Sequence, residues 1–274
     1  MIDLLAERLK PVAPHLKLNS AREYLQWTLL QGIDDAGCRA NLAFTGGTAL
    51  RVVFGNKRFS EDLDFSLVKR EGYDTGDLCR ALLQRLERLS LKAGASDVKD
   101  RKAVGSFFIR ISNLLHPLGI AREKGQKLSI KIEVDKNPPA GGRVEEYLFQ
   151  DPILFYVNHY DLPSLFATKL HAFLFRGYDK GRDYYDLLFL LGRKARPNLT
   201  VFRNAVRQTH PRAGLDTEES LFEAVREKID RMDERIILGD VRPFLLEPAE
   251  ERFLRKPALL KALGQYLADM GRPS

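Results

Sequence analysis

The chain has 274 residues, 44% hydrophobic and 30% charged, which is enough to bury one large core or two. Its formal charge of +7, with a pI near 9.3, favours a polyanionic partner. No apolar run approaches the roughly 18 residues of a membrane span, so no membrane association is expected. The N-terminal Met-Ile-Asp-Leu-Leu-Ala-Glu-Arg lacks the basic-then-apolar order of an export signal. Cys38 and Cys79 have no redox-like or metal-like partner nearby in sequence, which fits reduced thiols in a cytoplasm.

In chain order, residues 1–40 read as helices. Leu4, Leu5 and Leu9 form a short stripe interrupted by Pro11 and Pro14. Asn19 or Ser20 then caps a helix with Tyr24, Leu25, Thr28 and Leu29 on one face, ending near Gly32. Asn41 to Thr45 has the apolar content of a strand, Gly46 and Gly47 permit a tight turn, and Thr48 opens a helix. Strand, glycine turn and helix start together present free backbone N–H groups and a positive helix end, a cradle for phosphate. If Asp62 to Leu67 is a strand, Asp62 and Asp64 project from one face about 7 Å apart at Cα. Two such carboxylates beside a phosphate site suit Mg²⁺, which takes oxygen ligands from carboxylates and substrate phosphates. No Lys-Ser or Lys-Thr follows the glycines, so the turn is not a P-loop.

Gly46-Gly47-Thr48-Ala49-Leu50, a short gap, then Arg58-x-Ser60-x-Asp62-Leu63-Asp64-Phe65 resembles the signature of the DNA polymerase β-type nucleotidyltransferase superfamily, specifically its AbiEii/AbiGii toxin branch. The resemblance implies a phosphate grip at Gly46, Gly47, Thr48, Arg58 and Ser60, and metal ligation by Asp62 and Asp64.

Asp74 or Thr75 next caps a helix bearing Leu78, Ala81, Leu82, Leu86 and Leu89, and Phe107–Ile111 and Leu128–Val134 read as strands. In the second of these, Ile130, Ile132 and Val134 face the core while Ser129, Lys131, Glu133 and Asp135 face the other way. The resemblance implies a carboxylate here that completes the metal site and takes the proton of the attacking hydroxyl: Glu133, with Asp135 as the alternative. Strand-like pieces follow near Val144–Phe149 and Ile153–Val157, and the domain boundary falls near Asp161.

Asp161 caps a helix with Pro163 in its first turn and Lys169 inside its apolar stripe. An inward lysine needs an anion, and an incoming triphosphate would be one. A helix starting near Arg182 places Asp183 and Asp186 on one side. Lys169 followed by Arg182-Asp183-x-x-Asp186 is similar to the later motifs of the AbiEii family, which implies Lys169 at the triphosphate and Asp183, with Asp186, at the active site. His171 reads as structural. Asp216 with Glu219 resembles a capping box, Pro257 opens a last helix, and Arg203, Arg207 and Arg212 between them are candidates for holding nucleic acid.

The expected architecture is an α/β (α+β) nucleotidyltransferase-type mixed sheet with flanking helices over residues 1–160, followed by a helical domain over 161–274 that contributes Lys169 and Asp183 to the cleft. The resemblance implies a toxin of a prokaryotic toxin–antitoxin system that transfers NMP from an NTP to RNA, at the 3′ end of tRNA, using Mg²⁺ or alternatively Mn²⁺, with a cognate antitoxin protein as partner. The alternatives are transfer onto a protein hydroxyl and an NTP- or RNA-binding module without turnover.

Overall fold

Alternation of apolar and polar residues over 128–135 is realised as one of the inner strands of a mixed sheet, with its isoleucines and valine buried and its charged residues on the opposite face. The computed structural model describes residues 1–101 and 103–271. Helices α1 (Ile2–Leu9) and α2 (Lys17–Asp35) precede strand β1 (Leu42–Thr45), helix α3 (Gly46–Val52), strand β2 (Leu63–Leu67) and helix α4 (Thr75–Arg88). Strands β3 (Ala93–Ala95), β4 (Lys99–Asp100), β5 (Val104–Ile111), β6 (Leu128–Asp135), β7 (Val144–Phe149) and β8 (Phe155–Tyr160) follow. The remainder is helical: α5 (Leu162–Phe175), α6 (Gly181–Gly192), α7 (Leu199–Thr209), α8 (Glu218–Asp230), α9 (Glu234–Val241) and α10 (Lys256–Met270).

The strands are ordered β3-β5-β6-β2-β1-β8-β7, with β4 pairing to β5. β2 runs antiparallel to β1 and parallel to β6, and β5 is antiparallel to β6. One sheet face buries Phe44, Leu63, Phe65, Phe107, Ile109, Ile130 and Ile132; α2 and α4 supply Leu25, Leu29, Leu78 and Leu82 to the same core.

The chain divides into two compact units. The first comprises residues 1–53, 59–138 and 144–159, and the second residues 54–58, 139–143 and 160–274. Two short segments of the N-terminal half thus join the second unit. Residues 139–143 are tied there by Asn198 Nδ2 and Asn204 Nδ2, which donate to the carbonyls of Gly141 and Ala140 (both 2.9 Å), and by Arg143 N donating to Ser164 Oγ. The second unit's own core is built from Phe166, Phe202, Phe222, Tyr184 and Tyr266, with the Phe222 and Tyr266 rings 5.2 Å apart.

Helix ends follow the expected chemistry with two shifts. Asp74 and Asp161 cap α4 and α5 by accepting from Asp77 N and Ser164 N. The capping box of α8 uses Thr217 and Ser220, one residue beyond the acids Asp216 and Glu219. α2 starts at Lys17 because a 3₁₀ turn over Pro14–Leu16 leads into it, so Asn19 lies inside the helix and accepts from Arg22 instead. No helix among the described residues is long and apolar enough to cross a membrane.

Candidate active site

In the first unit, β2 and β6 pair in parallel with Asp64 directly opposite Glu133. Directly opposed residues on neighbouring strands share a face, with Cβ atoms about 5 Å apart. Both side chains are half-buried, whereas Leu63 and Phe65, which flank Asp64, and Ile132 and Val134, which flank Glu133, are buried in the core. On the other side of β2, Thr45 at the end of β1 pairs with Asp64. The chain therefore leaves β1 and enters the glycine turn beside this acid.

Gly46 has φ +75°, the left-handed region that favours glycine. A Cβ built there would overlap Asp64 Oδ2 and stand 3.0 Å from Asp64 Cβ and Cγ. The absence of a side chain lets the Asp64 carboxylate lie against the backbone at the start of α3. The Thr48 hydroxyl donates to the Asp62 carbonyl, tying the first turn of α3 to the segment that carries both aspartates. The Ser60 carbonyl accepts from the buried Gln26 Nε2 at 3.1 Å, fixing that segment from α2.

Lys131, two residues before Glu133 on the same face of β6, forms an ion pair with it. Partial burial works against the ammonium, but Glu133, then Asp62 and Asp64, outweigh it and raise the lysine above its ordinary pKa. One cation thus feels all three acids. Asp135 lies further along β6; its Oδ1 accepts from Asn137 N, and burial raises its pKa, offset by that amide and reinforced by Glu133. Among the described residues, no three His, Cys, Asp or Glu side chains stand at metal-ligating distance from one another. Hard carboxylate oxygens from Asp62 and Asp64 nevertheless fit Mg²⁺, whose sites use one or two carboxylates and leave positions for water and substrate phosphate. Lys131 already occupies this neighbourhood as a cation.

The second unit holds a different charged cluster. Asp186 on α6 is 0% exposed and accepts from Arg58 Nε and Nη2 (both 2.7 Å), Asn56 Nδ2 (2.9 Å) and Lys169 Nζ (2.8 Å). Burial alone would push the carboxyl up; Arg58 and then Lys169 outweigh it and hold it down at about 2. Asp183, in the first turn of α6, pairs with Arg176 at 2.9 Å. Burial, then Arg182 and Arg176, lower the pKa of Lys180, with Asp183 opposing and Lys169 adding to the repulsion. Lys180 thus stands among three cations that are each already paired: Arg176 with Asp183, Lys169 with Asp186 and Arg182 with Asp240.

The family model for the nucleotidyl transferase AbiEii toxin of type IV toxin–antitoxin systems matches residues 28–258. The chain belongs to this AbiEii family. Two Helicobacter pylori crystal structures share its fold at 18% identity and a TM-score of 0.50. JHP933 is matched over 92% of this chain and 94% of its own. A protein assigned as a nucleotidyltransferase is matched over 92% of this chain and 97% of its own. No protein of curated function matches the chain.

Within this AbiEii chain the structure brings Gly46, Gly47, Thr48, Asp62, Asp64 and Glu133 together in the first unit, with Ser60 in the segment leading to Asp62. Arg58, Lys169 and Asp186 meet in the second. Arg58, expected at phosphate, is 2% exposed and has its guanidinium committed to Asp186. Asp186, expected beside the nucleotide, is fully enclosed by its three partners, and the anion met by the inward Lys169 is this carboxylate. Arg203, a candidate for nucleic acid, donates to the Asp216 carbonyl at 2.7 Å, while Arg207 and Arg212 are exposed. His171, expected to be structural, has Nε2 2.8 Å from Thr209 Oγ1, and burial followed by the neighbouring His210 lowers its pKa to about 4. Sequence reasoning gave no role to Lys131, Asn56, Arg176 or Lys180. Lys131 had a usable signal, since alternation puts it on the Glu133 face. Asn56 had none, because its partner is 130 residues away.

Proposed function

We propose that this AbiEii-family chain transfers a nucleoside monophosphate from an NTP to the 3′-hydroxyl of an RNA acceptor, the 3′ end of tRNA, and that translation and growth stop as a result. The observation that carries this reading is the parallel register of Asp64 and Glu133 beside a turn in which Gly46 makes room for the Asp64 carboxylate. The acceptor oxygen attacks the α-phosphorus, the bond to the β-phosphate oxygen breaks, and pyrophosphate leaves. Glu133 receives the hydroxyl proton, with Lys131 holding the carboxylate in place. Backbone amides of Gly46, Gly47 and Thr48, with Ser60, grip the phosphates. The Thr48 hydroxyl is engaged with Asp62, so its part is to position that segment. Asp62 and Asp64 would hold Mg²⁺ or Mn²⁺, which when bound supplies positive charge against the phosphate oxygens. A cognate antitoxin partner follows from the toxin–antitoxin family, and a cytoplasmic site of action from the RNA substrate.

The test is incubation with each of the four labelled NTPs, total RNA and cell protein, with and without a chelator, beside Asp64→Ala. Label is expected in RNA only, to depend on the divalent cation, and to be lost in the variant while far-UV circular dichroism is unchanged. Label in protein would redirect the acceptor assignment, and full activity of Asp64→Ala would remove Asp64 from the site.

A further inference from the structure

Across the polar face of the sheet, the groups assigned to the reaction stand in spatial order. The glycine turn follows β1, Asp64 is on β2, Glu133 on β6, and β5 is the next strand, itself paired to β3 and β4 on its other side. β5 is therefore about 5 Å past the Glu133 strand and about 15 Å from the strand that feeds the phosphate turn. On this face β5 carries Ser106 opposite Glu133, Phe108 opposite Lys131 and Arg110 opposite Ser129. Phe108 is 39% exposed, and the Arg110 guanidinium carbon lies 6.0 Å from its ring centroid. The backbone N–H of Phe108 donates to Ser96 Oγ at 3.0 Å, fixing the strand beneath it.

Phe108 and Lys131 form a ridge shared by two depressions. One, of about 740 Å³, reaches Glu133 and is lined by Arg101 and Arg110; the other, of about 360 Å³, reaches Asp62 and is lined by Arg22 and Lys127. An aromatic ring on an open sheet face, with guanidinium and ammonium groups to either side, matches the chemistry that holds single-stranded nucleic acid. Bases stack on the ring and the cations follow the phosphates.

We infer that Phe108, flanked by Arg110 and Lys131, is the stacking ledge for an unpaired nucleotide at the 3′ end of the RNA acceptor. This rests on the acceptor reading above and deepens it: the acceptor lies over the open face of β5, on the side of Glu133 away from the phosphate turn, and its terminal hydroxyl meets Glu133. A paired base within a helix has its faces covered by its neighbours, so the ledge selects a single-stranded end.

The experiment measures anisotropy of a dye-labelled, unstructured adenosine-rich RNA 12-mer, and of the same strand in a blunt duplex, on the full chain. Phe108→Ala is expected to weaken single-strand binding about tenfold or more, and Phe108→Trp to restore it. The wild type should prefer the single strand, and the affinity for Mg-NTP should be the same in all three proteins. The inference is overturned if Phe108→Ala binds the single strand as the wild type does. It is equally overturned if the duplex binds as well, or if the loss appears in NTP binding instead. Ring-dependent RNA binding without label transfer would uphold the ledge and defeat the catalytic reading. Label transfer with equal KM for RNA in wild type and Phe108→Ala would do the reverse.

Discussion

At Gly46 two independent constraints meet, since φ of +75° strains any side chain and a Cβ there would collide with the Asp64 carboxylate. Gly37 offers a matched comparison in the same unit, with φ +71° and nothing within 4 Å of an added Cβ. Each alanine should therefore cost about 1–2 kcal/mol of stability from backbone strain. Gly46→Ala alone should also displace Asp64 and lower label transfer by about tenfold or more, the scale set by misplacing a reacting group by an ångström. Urea midpoints and the labelling assay on both variants separate the two effects, and equal activity of the pair would mean that the close approach of Gly46 to Asp64 is not needed for chemistry. Lys131 shows the same scale from another side: its ion pair with Glu133 was accessible from strand alternation, but its influence from Asp62 and Asp64 depends on the pairing of β2 with β6.

Among the elements, α5 and α6 are joined through Lys169 and Asp186, and the 54–58 segment is added by Asn56 and Arg58. Asp186→Asn would leave Arg58 and Lys169 as buried cations without their counter-charge, and the expected loss is about 3–5 kcal/mol in the urea-unfolding free energy. The wild type should show the linked pH dependence. The Asp186 carboxyl titrates at about 2 when folded, against a reference of 3.8, so the unfolded chain takes up the proton first as pH falls. Its contribution, about 2 kcal/mol, is complete above pH 4 and is lost as pH falls from about 4 towards 2. That slope should be missing from Asp186→Asn; an unchanged acid limb in the variant would assign the pH dependence to other carboxylates.

For the whole molecule, the formal charge of +7 sets the sign of its long-range field and makes any RNA affinity dependent on salt. The logarithm of the association constant for the RNA 12-mer should fall linearly with the logarithm of KCl concentration. Arg110→Ala should reduce that slope by about 0.7, the release of one phosphate counterion from a single strand. An unchanged slope would mean that Arg110 meets no phosphate. The net charge alone points to no position on the surface; the proposed ledge rests on Phe108 and Arg110 sharing an exposed sheet face.

The sequence by itself determined what depends on neighbours within a few residues. Alternation placed Glu133 and Lys131 on one strand face, the Asp161 cap and Pro163 started α5, and the string around Gly46 and Asp62 was sufficient for the AbiEii resemblance. Tertiary structure decided what depends on partners distant in sequence. It paired Asp64 with Glu133 rather than Asp135, and it enclosed Arg58 and Asp186 with each other. It also moved residues 54–58 and 139–143 into the second unit. The physical reason is that a side chain's periodicity fixes which way it points, whereas the charge it meets there is set by chain segments whose approach no local pattern encodes.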